Sequence, residues 1–479
     1  MSIPNTACAT RILTTIRTGT DVMKLVSTNP SRNFEPIGSV EISSAKKVQD
    51  KVRAARSAAR HWDEIGLDRR IGYVRALANV FKKRRKPLSV LLSREMGMPI
   101  SQAETDIDDG VAFLTWYCDH AHEALDPEVT YETKREVHTI VHEPRGVVAV
   151  IVPWNFPCTN FVWQCGQNLL VGNTIVFKSS EETPLFGKEI EKAFVAAKFP
   201  KGVFSEVYGD GKVGAQLAHA DVDMLCFTGS TRTGRLLYAI GAEKMIPVHL
   251  ELGGSSPGIV FKDTDVDAAL DSIYGSRFSC SGQMCIALKR LIVHESRMEE
   301  VVAKLIAKLK KKKIGDALAR ATDIGPVVAE RQVKLLEAQV ADAKRKGAKI
   351  LTGGKRPGDL RGAYYEPTVL TRVKKNMRVW QEEVFGPVLP VVPFTTEEEA
   401  VALANDTMYG LGAYIYTKDK KLFERVASRI QSGMVGQGNT NFIRPCNPFG
   451  GYKRSGLGRE HGIYGFYDVS QIKMITKNR

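Results

Sequence analysis

From residue 147 onward the chain repeats one phrase: a short apolar run, a turn rich in Gly, Pro or Ser, then a helical stretch. The runs fall at 147–152, 174–177, 204–208, 224–227, 258–261 and 291–293, and return at 389–393 and 413–416. Strands this apolar have no polar face to offer water. Helices must cover both of their sides, which is the setting of a parallel sheet in an α/β fold. Earlier, from about 43 to 124, the pattern is helical, and residues 45–62 and 69–81 space their apolar side chains three and four apart. A further amphipathic helix is predicted over 298–311. Between these regions, Val129-Thr130-Tyr131 and Val137-His138-Thr139-Ile140-Val141 alternate and predict a β-hairpin around 130–142. The final alternating run, Ile472-Lys473-Met474-Ile475, needs a partner edge, and we expect it across a subunit interface.

Composition narrows the function classes. A chain of 479 residues implies two or three domains and can bury a sizeable core without disulfides or metals. Its longest apolar runs fall far short of the roughly 20 residues that span a bilayer, so no membrane association is expected. The net charge is +15. Its basic runs, Lys82-Lys83-Arg84-Arg85-Lys86 and Lys310-Lys311-Lys312-Lys313, lie in or at the ends of helical segments with acids nearby. No RNA-binding, helix-turn-helix or zinc-finger pattern accompanies them, so they read as solvated helix faces and no nucleic acid is expected. The eight cysteines form no CxxC pair, which suits reduced thiols in a cytoplasm. The first twenty residues hold Arg11 and Arg17 and no acid, a composition like that of a transit peptide but without a clean amphipathic pattern. His138 and His142 are four apart on a strand, not on a helical face, and no metal is expected.

Five segments carry possible chemistry. Residues 224–235 read as a strand, a Gly/Ser turn and a helix start, where free N–H groups can hold a phosphate; an ordinary tight turn has the same look. In His249-Leu250-Glu251-Leu252-Gly253-Gly254 a carboxylate stands between two leucines, which makes it a buried ion-pair partner or a base with a raised pKa. Cys285, in Gly282-Gln283-Met284-Cys285-Ile286, is either a packed core thiol like its neighbour Cys280 or a nucleophile. The turn Pro153-Trp154-Asn155-Phe156-Pro157 puts an amide at the carboxyl end of a strand, where α/β folds keep their sites. A second strand ends in Lys178-Ser179-Ser180-Glu181, polar groups suited to ribose hydroxyls.

Together with EEVFGP at 382–387 and PFGGYKRSG at 448–456, these segments resemble the aldehyde dehydrogenase superfamily over nearly the whole chain, in the family's order. The resemblance implies a Rossmann-like NAD(P)-binding domain (1–124 and 145–250), an α/β catalytic domain (251–456) and a small β oligomerisation element (125–144 and 457–479) that builds a homodimer or homotetramer. It makes Cys285 the thiolate that attacks an aldehyde, Asn155 the amide donor to the resulting oxyanion, and Glu251 the base that activates water against a thioester. Coenzyme-A-acylating relatives commonly lack that Glu, so release of a free acid is implied.

For the cofactor, the resemblance places Ser230 at the pyrophosphate, with Trp154 and Lys178 beside the adenosine ribose. Glu383 falls on the nicotinamide ribose and Phe385 beside its ring. Glu181 would bind the adenosine hydroxyls and repel a 2′-phosphate, favouring NAD over NADP. Ser179 where Pro is common, and Arg232 where an acid is frequent, leave NADP possible. The substrate tunnel maps to Phe156, Asn160, Trp163, Met284, Ile286, Ile443 and Phe449, which suits a medium aliphatic or aromatic aldehyde. Arg444 beside it offers a grip on the carboxylate of a semialdehyde, or merely faces solvent. A catalytically silent relative is the alternative reading; retention of Asn155, Glu251, Cys285 and Glu383 together argues against it.

Overall fold

The computed structural model describes residues 23–439 and 442–479; the leader-like composition at 1–20 lies outside them. The first sheet has six strands in the order Gly456–Leu457, Val248–Glu251, Met224–Thr228, Val147–Ile151, Thr174–Lys178, Phe204–Glu206. All its pairings are parallel save that of Gly456–Leu457 with Val248–Glu251. Period-2 alternation splits its side chains between two layers. Val147, Ala149, Val176 and Leu225 pack with Val48, Val52 and Ala55 of helix Ala45–Glu64. Val148, Val150, Ile175 and Phe177 pack the other way, against Phe161 and Leu169 of helix Pro157–Val171. That helix is almost wholly buried. Asp106 caps it from helix Ile100–Leu125, accepting from the backbone N–H of Cys158 and of Thr159 at 3.1 Å each. Burial pushes the Asp106 carboxyl up to about 7.

The second sheet has seven strands, ordered Lys349–Thr352, Thr368–Thr371, Val388–Phe394, Leu288–His294, Ser256–Val260, Gly412–Tyr416, Met434–Gln437. Only its first pair is antiparallel. Helices Val266–Phe278 and Met298–Lys310 cover one face, and Glu397–Asn405 and Lys420–Ala427 the other. The two-sided burial inferred from the apolar runs therefore holds for both sheets. The basic run at 310–313 follows the last turn of its helix, where cations meet the negative end of the macrodipole, and Lys312 pairs with Asp323 at 2.9 Å.

A third sheet, antiparallel, joins Ser470–Asn478, Glu136–Pro144 and Glu128–Glu132 in that order. Here one expectation is corrected. The last strand finds its partner edge within the chain, with Ile472 opposite His142 and Ile475 opposite Thr139, so no second subunit is needed to pair it. Among the described residues its other edge is unpaired, and Val129, Tyr131, Ile472 and Met474 are exposed. His142 accordingly serves packing: its Nδ1 lies 3.1 Å from Ser470 Oγ and its ring stacks on Tyr467. Among the described residues, no helix is long and apolar enough to cross a membrane, and no group of three or more His, Cys, Asp or Glu could hold a metal.

Candidate active site

Cys285 lies between a short 3-10 turn, Ser279–Gly282, and strand Leu288–His294. Cys280 and Ser281 have φ of 50° and 53°, a left-handed backbone that costs a residue with a side chain roughly 1–2 kcal/mol. The surroundings hold them there. Cys280 N–H donates to Gln102 Oε1 at 2.7 Å and Ser281 Oγ to the Gly325 carbonyl at 2.8 Å. Gln283 donates from Nε2 to the Cys280 carbonyl at 3.1 Å and accepts from Val328 N–H at 2.9 Å. Strain held in place by several partners is a common feature of functional loops. Nothing in the sequence pattern singles out Gln102 or Gln283.

The half-buried Cys285 lines two cavities at once. The larger, about 400 Å³, is walled by Asn155, Phe156, Asn160, Trp163, Ile286 and Phe449, with Met284 and Ile443 beside them. Trp163 is wedged there by Phe449 and by His461, with ring centroids 4.9 and 4.4 Å away. Every tunnel residue expected from sequence thus meets at this cavity except Arg444, which is exposed and does not line it. Asp109, unforeseen, does line it, and Arg444 acts electrostatically on its carboxyl. The signal was available: Asp106 and Asp109 are three apart on one helix face.

On the other side of Cys285, a cavity of about 240 Å³ is lined by Trp154, Ser230, Gly253, Glu383 and Phe385. It shares Trp154 and Ser230 with a third, of about 280 Å³, which Lys178, Glu181 and Arg331 also line. Ser230 caps helix Thr231–Lys244, accepting from Thr233 N–H at 3.2 Å, so the helix N-terminus faces this cleft. Lys178 is buried, with Nζ 3.1 Å from the Ser179 carbonyl and 4.0 Å from Glu181; burial lowers its pKa against the pull of Glu181. Trp154 and Phe385 meet edge to face at 5.6 Å. Glu383 accepts from Gly254 N–H at 3.0 Å, and a Cβ on Gly253 would sit 2.3 Å from its carboxylate, so only glycine admits that approach. These groups fit a dinucleotide: helix N-terminal N–H donors for phosphates, carboxylate acceptors for ribose hydroxyls, and aromatic edges for flat rings.

Asn155 Nδ2 donates to the Gln283 carbonyl at 3.0 Å, two residues before Cys285, and Asn155 lines both cavities that Cys285 lines. Glu251 is placed differently. It lines none of the three cavities, and neither carboxylate oxygen has a hydrogen-bond partner among the described residues. Its closest charge partner is His249. Burial, reinforced by Glu460, pushes its carboxyl well above the usual carboxylate range. Three residues on, the chain comes close to Cys285: a Cβ on Gly254 would lie 2.6 Å from the Cys285 carbonyl.

Residues 17–475 match the model of the aldehyde dehydrogenase family. The chain belongs to the aldehyde dehydrogenase family. It is 39% identical over 469 residues to aminoaldehyde dehydrogenase 1, peroxisomal, of Pisum sativum, covering 95% of this chain and 92% of that protein. It is 36% identical to glutarate-semialdehyde dehydrogenase of Pseudomonas aeruginosa, over 94% and 93% of the two chains. Among solved structures, betaine aldehyde dehydrogenase of Staphylococcus aureus in complex with NAD+ superposes with a TM-score of 0.91 at 34% identity, over 95% of this chain and 92% of that one. An E. coli NADP-dependent enzyme gives 0.91 at 33%, over 95% of each chain. This aldehyde dehydrogenase has the family's mixed α/β fold with a Rossmann-like sheet, and it is an oxidoreductase of aldehydes that uses a nicotinamide cofactor.

Proposed function

We propose that this aldehyde dehydrogenase uses NAD+ to oxidise an aldehyde that carries a cationic nitrogen at its far end, releasing the free acid. The observation that carries the proposal is the composition of the larger cavity. Cys285 shares this cavity with the aromatic rings of Phe156, Trp163 and Phe449, and the exposed carboxylate of Asp109 also lines it. Aromatic faces and a carboxylate are the groups that recognise an ammonium. The aminoaldehyde and betaine aldehyde names among the relatives support this reading. Of the substrate classes expected from sequence, the semialdehyde reading rested on Arg444, which is exposed and outside the cavity.

In the proposed reaction the Cys285 thiolate adds to the carbonyl carbon, and the new oxyanion accepts from Asn155 Nδ2 and from the Cys285 N–H. Glu383 and Phe385 would hold the nicotinamide, which when bound would supply the hydride acceptor. Loss of hydride leaves a thioester on Cys285, which water hydrolyses once Glu251 has turned toward it and taken a proton. Ser230 at its helix N-terminus, with Trp154 and Lys178, holds the rest of the dinucleotide, and Glu181 favours NAD+ by repelling a 2′-phosphate. The two large sheets correspond in this reading to a cofactor part and a catalytic part, and the three-stranded sheet to an oligomerisation element.

NADH formation across ω-amino, trimethylammonio, plain aliphatic and ω-carboxylate aldehydes tests the proposal. Activity lost in Cys285→Ser establishes the nucleophile, and a silent wild type overturns the enzymatic reading. Asp109→Asn is expected to raise KM for the cationic aldehydes about tenfold, the loss of one partly solvated charge contact. An equal change for neutral aldehydes sinks the substrate class.

A further inference from the structure

Strand Leu288–His294 is buried along nearly its whole length, yet its second residue is a lysine. The Lys289 side chain is 1% exposed. Its Nζ donates to the Gly254 carbonyl at 2.8 Å and to the Cys285 carbonyl at 2.9 Å, and it forms an ion pair with the Glu383 carboxylate. It also stands 5.3 Å from the centre of the Phe385 ring. Burying an ammonium is expensive even when paired, and an apolar residue would fill the same strand position without that cost. Packing alone therefore does not account for a cation bonded to the carbonyl oxygen of the cysteine and to a carboxylate in the cofactor cleft.

We propose that Lys289 is a positioning residue of the reaction: its ammonium, anchored on the Cys285 and Gly254 carbonyls, favours the Cys285 thiolate and fixes the Glu383 carboxylate in the cleft. The inference rests on the reading of Cys285 as nucleophile. The thiol proton leaves to water in the cavities that Cys285 lines; no other bond changes.

The charges around the thiol set the direction of the effect. Burial pushes the Cys285 thiol up, and Lys289 is the foremost influence pulling it down, while Glu383 and Glu251 push it up. Tyr414, from strand Gly412–Tyr416, donates to the Ile286 carbonyl at 2.6 Å and faces the thiol as a neutral phenol, its own pKa raised by burial. Arg277, from helix Val266–Phe278, bonds the Val384 carbonyl at 3.2 Å and opposes the charge on Lys289. Removing the lysine charge thus leaves the Glu383 carboxylate acting on the thiol without its counterion.

The test is the rate of iodoacetamide alkylation of Cys285 against pH in cofactor-free enzyme, followed by mass spectrometry of its peptide. Lys289→Met is expected to move the midpoint upward by about one pH unit, the size of a close charge pair. Lys289→Arg is expected to hold it near wild type, and adding Glu383→Gln to Lys289→Met to bring it part of the way back. An unchanged midpoint in folded Lys289→Met overturns the proposal. Should that variant fail to fold, Glu383→Gln alone decides: a lowered midpoint supports the charge balance, and an unchanged or raised one overturns it. If fully alkylated enzyme still forms NADH, the nucleophile reading fails while the midpoints still judge Lys289.

Discussion

His249 Nε2 and Glu251 Oε1 face each other across 3.8 Å, two residues apart on one strand, with both side chains buried. Burial drives the imidazole down to about 4 and the carboxyl well up, so the arrangement favours a neutral ring beside a protonated acid. In the role proposed for it, Glu251 has to lose this proton before it can activate water. The rate of thioester hydrolysis should therefore climb with pH through the raised Glu251 pKa.

Glu251→Gln should leave a burst of about one NADH per site and then stall, with kcat down by 10² or more, the usual worth of a general base. Stopped-flow absorbance separates burst from steady state, and loss of the burst as well would assign Glu251 to an earlier step. The same change should raise Tm at pH 7.5. An acid whose pKa is raised by folding costs stability as pH climbs above its unfolded value, and the amide removes that cost.

His249 has the opposite sign. Its folded pKa, about 4, lies below the ordinary imidazole value. The unfolded chain therefore binds more protons between those limits, and stability falls as pH drops through that window. His249→Gln should lose less Tm than wild type between pH 7 and pH 5, as read by scanning calorimetry. Parallel curves for the two proteins would refute this.

Asn155→Ala is expected to cut kcat by about 10²–10³ with KM for the cofactor little changed, the typical loss of one oxyanion donor. Its amide is held by the Gln283 carbonyl and by Asn160, whose Nδ2 lies 3.3 Å from Asn155 Oδ1, so the donor is already oriented. Single-turnover rates check it, and a change confined to KM would argue against the role.

Cofactor choice should move with Glu181. Glu181→Ser removes the charge near the buried Lys178 ammonium, and kcat/KM for NADP+ relative to NAD+ should rise about tenfold, one charge contact's worth. Arg331, on the same cleft, is engaged by Glu182 at 2.8 Å and is not free to take a phosphate unaided. If the ratio is unchanged, discrimination lies elsewhere in the cleft.

The sheets were legible because a parallel strand buried on both faces must be apolar throughout, and 147–152 or 291–293 show this without ambiguity. The hairpin Lys24–Asn29 with Glu35–Glu41 was not foreseen, since its short polar strands leave little periodic signal. Lys289 and His249 escaped notice for a related reason: a charged residue in an apolar run reads as a strand end, and only three-dimensional neighbours show that it is buried. Arg444 shows the reverse ambiguity, and of the two readings left open for it the structure has the exposed one. It adjoins tunnel residues in sequence, but the backbone turns its side chain outward. Glu251 is the subtler case: its two flanking leucines signalled the burial and the raised pKa, but not that it lines none of the three cavities.

The three-stranded sheet pairs Glu136–Pro144 with Ser470–Asn478, segments some 330 residues apart, with Ile472 opposite His142. At the usual 5–20 residues per second, a ribosome needs roughly 20–60 s to make the intervening chain. Throughout that interval the hairpin Glu128–Pro144 exists with a bare edge, in a cell crowded with other nascent strands. How well that edge resists misassembly before its third strand arrives will govern the yield of this enzyme as much as the stability of the finished fold.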